Sequence, residues 1–105
     1  MLSIDFNDTI IAIATPLAVG AIGVIRVSGK DTFSIVNEIF KGKNLTNQAS
    51  HTVHLGKIVE NEEVIDEVLI SIFIGPNSYT KEDVIEISCH GSPYILNRIL
   101  QLLIL

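Results

Sequence analysis

The sequence predicts an α+β fold, a mixed β-sheet with two helices packed on one of its faces. Three observations carry that expectation. Several short runs rich in Ile and Val alternate with polar residues in the period of two that strands require. Two other stretches, around Phe33–Phe40 and Tyr94–Leu103, repeat apolar residues at helical spacing. Gly29, Gly42 and Gly75-Pro76-Asn77 punctuate these stretches.

Taken in order, Ile10–Ala14 is a short strand closed by Thr15-Pro16, and Leu17–Gly23 is a small-residue loop in which Gly20 and Gly23 are free to take positive φ. Ala21–Ser28 is the second strand, stopped by Gly29. Asp31 is placed to cap a helix whose apolar stripe is Phe33, Ile35, Val36, Ile39 and Phe40, with Gly42 at its end. Lys43–Ser50 is polar and irregular. Thr52–Glu60 and Val64–Ile74 then form a β-hairpin across Asn61-Glu62-Glu63, a turn without the favoured Asn-Gly pair. Gly75-Pro76-Asn77-Ser78 is a turn, Asp83–His90 the last strand and Gly91–Leu105 a helix carrying Tyr94, Ile95, Ile99, Leu102 and Leu103. The predicted order is β-β-α-β-β-β-α. No glycine closes the last helix, so the expectation is a single domain over residues 1–105 that is truncated at its carboxy-terminal end.

Composition narrows the function. Of the 105 residues, 48% are hydrophobic and 18% charged, which suits one packed domain rather than a disordered chain. With 7 basic against 12 acidic residues there is no basic stripe of the kind that phosphate backbones demand, so this domain by itself is not expected to hold RNA. A lone cysteine, Cys89, excludes an internal disulfide and a multi-cysteine zinc site. The amino terminus lacks the basic and apolar segments of a signal peptide, and the longest apolar run, Val68–Ile74, is interrupted by Ser71 and too short to span a membrane. A soluble, cytoplasmic chain is the expectation.

Few motifs carry chemistry. Five residues separate Gly23 from Gly29-Lys30 where a phosphate-binding loop has four, and Asp31 occupies the position where it needs Ser or Thr, so no P-loop is present. His51 and His54 lie three apart in a strand and point to opposite faces, the wrong arrangement for a shared metal ion. Cys89 alternates with Ile85 and Ile87 and reads as a buried core thiol. Asp66, Glu67 and Asp83 are carboxylates that nothing in the pattern marks as a general base. Ser78–Asp83 offers hydroxyls and an aromatic ring where binding loops lie. The sharpest signal is a pair of isolated charges. Arg26 shares a strand face with Ile22, Val24 and Ser28, and Glu86 shares one with Val84 and Ser88. A charge on an apolar face needs a partner or an opening. Either the two pair with each other, or they face a cleft where a ligand supplies what they lack.

Three segments together resemble one family: Asp8-Thr9-Ile10 with Ala12–Pro16; Gly23-Val24-Ile25-Arg26-Val27-Ser28-Gly29; and Gly75–Glu86 followed by His90-Gly91. The pattern is similar to the amino-terminal domain of the tRNA-modification GTPases called MnmE or TrmE, and it runs from Asp8 to the end of the chain. Leu17, Ala18 and Ala21 stand where that family has a second proline and more glycine, and Ser92 where it has a second glycine after His-Gly.

The resemblance implies a fold related to the tetrahydrofolate-binding domain of glycine-cleavage aminomethyltransferases. It also implies a homodimer formed through this domain, with a 5-formyltetrahydrofolate site whose contacts fall on Arg26 and Glu86. The full-length family protein adds helical and GTPase domains, to which GTP, magnesium and potassium belong, and modifies the wobble uridine of tRNA with the FAD-dependent partner MnmG (GidA). No catalytic residue and no metal ligand is expected in the present chain. Two other functions stay open: a structural dimerisation domain with a degenerate pocket, and a stand-alone folate-dependent aminomethyl or formyl transferase.

Overall fold

A computed structural model of the chain describes residues 9–15, 20–76 and 82–104. Its strands are β1 (Ile10–Ile13), β2 (Ile22–Ser28), β3 (Phe40–Lys41), β4 (Thr52–Glu60), β5 (Glu63–Phe73) and β6 (Val84–His90), and its helices are α1 (Thr32–Ile39) and α2 (Pro93–Ile104). The strands form one sheet in the order β1-β2-β6-β5-β4-β3. The α+β class and the two helices stand as expected, but the sheet is antiparallel at every pair rather than mixed. A parallel pair arises when a crossover returns the chain beside the strand it left. Here α1 instead carries the chain from β2 to the far edge at β3, and β6 then returns to the gap between β2 and β5.

Both helices lie against one face of this sheet and touch each other. The alternation that predicts the strands decides which side chains they cover. One register row across the middle of the sheet aligns Ile25, Ile87 and Ile70, each fully buried. Val27, Ile72 and Ile85 extend the same face, and α1 adds Val36 and Ile39 while α2 adds Leu96, Ile99 and Leu103. Leu96 reaches the sheet because Gly23 has no side chain; a Cβ there would sit 2.7 Å from a Leu96 methyl. Space, not positive φ, is therefore what Gly23 provides, and it lies inside β2 rather than in a loop. Among the described glycines only Gly29 has a positive φ.

The element ends differ from expectation in instructive ways. Asp31 stands at the amino-terminal cap of α1, but its side chain makes no capping bond. The Thr32 hydroxyl does local work instead, donating to the carbonyls of Gly29 and Asp83 and tying the helix start to the entry of β6. α1 stops at Ile39, three residues before Gly42, because Phe40 turns into β3, pairs with Ile58 and lays its ring over Gly56. Within Lys43–Ser50 the chain forms a short 3-10 turn, Leu45–Asn47, that buries Leu45. Ser92, with Pro93 as the first residue of α2, caps that helix by accepting from the Ile95 N–H.

The hairpin turn is tighter than expected, because Glu63 belongs to β5 and pairs with Glu60. That leaves Asn61 and Glu62 as a two-residue loop, with φ of 49° and 69°. Both values suit a type I′ turn, whose second position favours glycine. Glu62 therefore holds a backbone geometry that costs an L-residue about 1 kcal/mol. Glu62→Gly is expected to raise the urea midpoint, for a gain of about 0.5–1 kcal/mol, whereas Glu62→Ala, which removes the carboxylate but keeps Cβ, leaves most of the strain. Equal midpoints for the two variants would contradict the strain argument. Glu60 and Glu63, like charges placed opposite each other, both pair with Arg98 of α2, at 2.8 and 3.6 Å, which offsets part of their repulsion.

Candidate functional site

The face of the sheet away from the helices is open along its middle among the described residues, while Ser28 and Val84, partners at one end of it, are buried. On it the register aligns Val24, Ser88, Leu69 and Leu55 in one row, and Ala12, Arg26, Glu86, Ser71 and Val53 in the next. Ile22, Val53, Leu55 and Leu69 are 45–65% exposed there, four large apolar side chains on one face, the pattern of an interaction surface. A shallow cavity of about 240 Å³ opens on it, lined by Ala21, Ile22, Leu55, Leu69, Ser88 and His90 among others.

Arg26 and Glu86 are brought together. They are register partners on β2 and β6, and the guanidinium donates twice to one carboxylate oxygen, from Nε at 2.9 Å and from Nη2 at 2.6 Å to Oε2. Of the two alternatives that the sequence leaves open, pairing with each other is the arrangement in this structure. The pair is not sealed, since the side chains are 47% and 27% exposed. Glu86 Oε1 and Arg26 Nη1 have no partner among the described residues, which leaves an acceptor and a donor side by side on an apolar surface. Such an edge matches a planar group that carries its own donors and acceptors.

A second polar cluster lies farther along β6. Asp66, on β5, is 9% exposed; its Oδ2 accepts from the His90 backbone N–H at 2.8 Å, and its Oδ1 meets His90 Nδ1 at 2.6 Å. The contact has a local cause. Pairing of β5 with β6 ends at Leu69 and Ser88, and β5 carries a bulge where Ile58 opposes Asp66 but Val59 opposes Val64. The Asp66 carboxylate thus replaces a ladder acceptor that the diverging strand no longer supplies. The sequence held a signal for it: Asp66 shares the inward parity of Val68, Ile70 and Ile72, where an isolated carboxylate needs a partner. That partner, 24 residues away, was not legible.

Cys89 is buried as expected, donating weakly to the Gly23 carbonyl at 3.6 Å. Burial, helped by the nearby Asp66 carboxylate, pushes its thiol from 9.0 up to about 11, so it stays protonated and inert at neutral pH. His51 precedes β4 with a φ of 63° and stacks edge-on against Phe73, while His54 hydrogen-bonds Thr52. Of the loop Ser78–Asp83, residues 78–81 lie outside the described residues, as do Leu17 and Ala18. Asp83 is described and accepts from the Gly75 N–H. No helix among the described residues is long and apolar enough to cross a membrane.

The chain is similar to curated proteins named tRNA modification GTPase MnmE. It is 59% identical to that of Flavobacterium johnsoniae over 101 residues, covering 93% of this chain and 22% of the relative. It is 56% identical to that of Streptococcus thermophilus, over 92% of this chain and 21% of the relative. With that of Lacticaseibacillus paracasei it shares 50% identity over 97% of this chain and 22% of the relative. The chain thus spans about a fifth of the length of these relatives. The family described as GTP-binding protein TrmE N-terminus matches residues 9–105. By that match and these identities, the chain belongs to the TrmE amino-terminal family.

Proposed function

We propose that this chain binds 5-formyltetrahydrofolate on its open sheet face and joins a second copy of itself through the same face, as the amino-terminal part of a GTPase that modifies the wobble uridine of tRNA. The observation that carries the reading is the half-exposed Arg26–Glu86 pair at the centre of an uncovered apolar sheet. A pterin ring is flat, buries well against Val24, Leu69 and Leu55, and presents adjacent N–H donors to the free Glu86 oxygen. Arg26 Nη1 offers N–H groups to a folate carbonyl or carboxylate. The relationship of the fold to folate-binding aminomethyltransferase domains belongs to the same proposal. So do the remaining partners: tRNA, the FAD-dependent MnmG (GidA), and GTP with magnesium and potassium are assigned to the four-fifths of the relatives' length that this chain does not span. A cytoplasmic location goes with them.

The test is a calorimetric titration of the chain with 5-formyltetrahydrofolate. Saturable binding near one ligand per chain is expected, weakened about 10- to 100-fold by Glu86→Gln, since a charge-assisted hydrogen bond contributes about 1.5–3 kcal/mol. Unaltered affinity in Glu86→Gln rules out the assignment. The already satisfied Glu86 Oε2 favours one rival, a dimerisation domain with a degenerate pocket. That rival predicts no heat of binding from the unsubstituted chain.

A further inference from the structure

The geometry points to His90, steered by Asp66, as a third polar contact of the ligand held at Arg26 and Glu86, an inference that rests on the folate reading above. Glu86, Ser88 and His90 alternate on β6 and so line the same open face, with Glu86 and His90 about 13 Å apart at the usual rise per residue. His90 stands at the rim of the 240 Å³ cavity, and its side chain is 72% exposed. Between the two ends run Ser88 and the apolar floor of Ile22, Leu69 and Leu55. The result is a line of polar groups along an apolar surface, suited to an extended ligand with an aromatic body and polar ends.

The imidazole is held more firmly than the fold requires. The strand end is already closed by the bond from the His90 N–H to Asp66 Oδ2. The second bond, at 2.6 Å to Oδ1, adds nothing to the ladder, yet it orders an exposed ring that would otherwise turn freely. It also fixes the ring's proton. A carboxylate only accepts, so Nδ1 carries the hydrogen, and in its neutral form the ring presents Nε2 as an acceptor. Nε2 has no partner among the described residues. A ligand N–H is the complementary group, and folate carries such donors along its length. Asp66 is a positioning residue, acting through the ring.

The test pairs ligand affinity with NMR of the imidazole nitrogens during titration with 5-formyltetrahydrofolate. His90→Ala is expected to weaken binding about tenfold, and a cooperative melting curve checks that the chain still folds, since the His90 N–H still bonds Asp66 Oδ2. Asp66→Asn is the sharper variant. Its amide oxygen still accepts from the His90 N–H, but its NH₂ donates to Nδ1 and moves the ring proton to Nε2, replacing the acceptor by a donor. The nitrogen shifts should report the exchanged tautomer, and affinity should fall as far as in His90→Ala. In the unsubstituted chain the Nε2 resonance should move on saturation. If it does not move and His90→Ala binds as tightly as the unsubstituted chain, while Glu86→Gln has lost affinity, His90 is excluded and the folate reading stands. Absence of binding by the unsubstituted chain overturns both.

Discussion

Ile87→Ala should remove about 2–5 kcal/mol of stability. Ile87 is fully buried on β6, the strand enclosed by β2 and β5, and its row neighbours Ile25 and Ile70 are equally buried. Both helices contact β6, so the void left by the lost carbons is walled on every side and collapses poorly. A domain of this size holds only about 5–15 kcal/mol in total, and the variant would lose a large part of it. Leu69→Ala is the control, one row away but on the open face and 45% exposed. Urea unfolding followed by circular dichroism, on chain dilute enough to be monomeric, should show the first midpoint falling steeply and the second barely moving. Comparable losses for the two would mean that the open face is not open in solution.

That contrast between faces was already legible in the residues. Period-two alternation put Ile85, Ile87 and Cys89 on one side of a strand and Val84, Glu86 and Ser88 on the other, and burial follows that division except at Val84, which is buried at the start of β6. The same logic isolated Arg26 and Glu86 from their apolar neighbours before any pairing was known. What escaped is what local pattern does not encode. Phe40 fits the helical stripe of α1 as well as it fits a strand, and only its contact with Gly56 and its pairing with Ile58 decide the matter. Strand direction depends on where α1 delivers the chain, a long-range property. The Asp66–His90 contact follows from a bulge in β5 and the divergence of two strands distant in sequence. The tight turn at Asn61 and Glu62 was obscured because Glu62 occupies a position that sequence preference reserves for glycine.

The proposed homodimer should be broken by Leu55→Glu combined with Leu69→Lys. The two leucines are register partners at the centre of the open face, 62% and 45% exposed. In the isolated chain the new side chains would stand opposite each other with complementary charge, which a sheet tolerates, so folding should be retained. At an interface the substitution acts in two ways. Two leucines no longer leave water, at a loss of about 1.5–3 kcal/mol each when fully covered. An ion pair must also be desolvated in their place, and its mutual attraction rarely offsets that cost. Together these should weaken self-association at least about 100-fold. Sedimentation velocity over a concentration series reads this directly, with the melting curve at low concentration confirming an intact fold. Arg26 and Glu86 lie in the adjacent row, so a dimer closed over this face would bring the ligand pair to the interface or beneath it. Folate and self-association are then linked, and 5-formyltetrahydrofolate should raise the dimer fraction of the unsubstituted chain while leaving the double variant monomeric. A double variant that still dimerises at the original strength would place the contact between copies on another surface and remove that linkage.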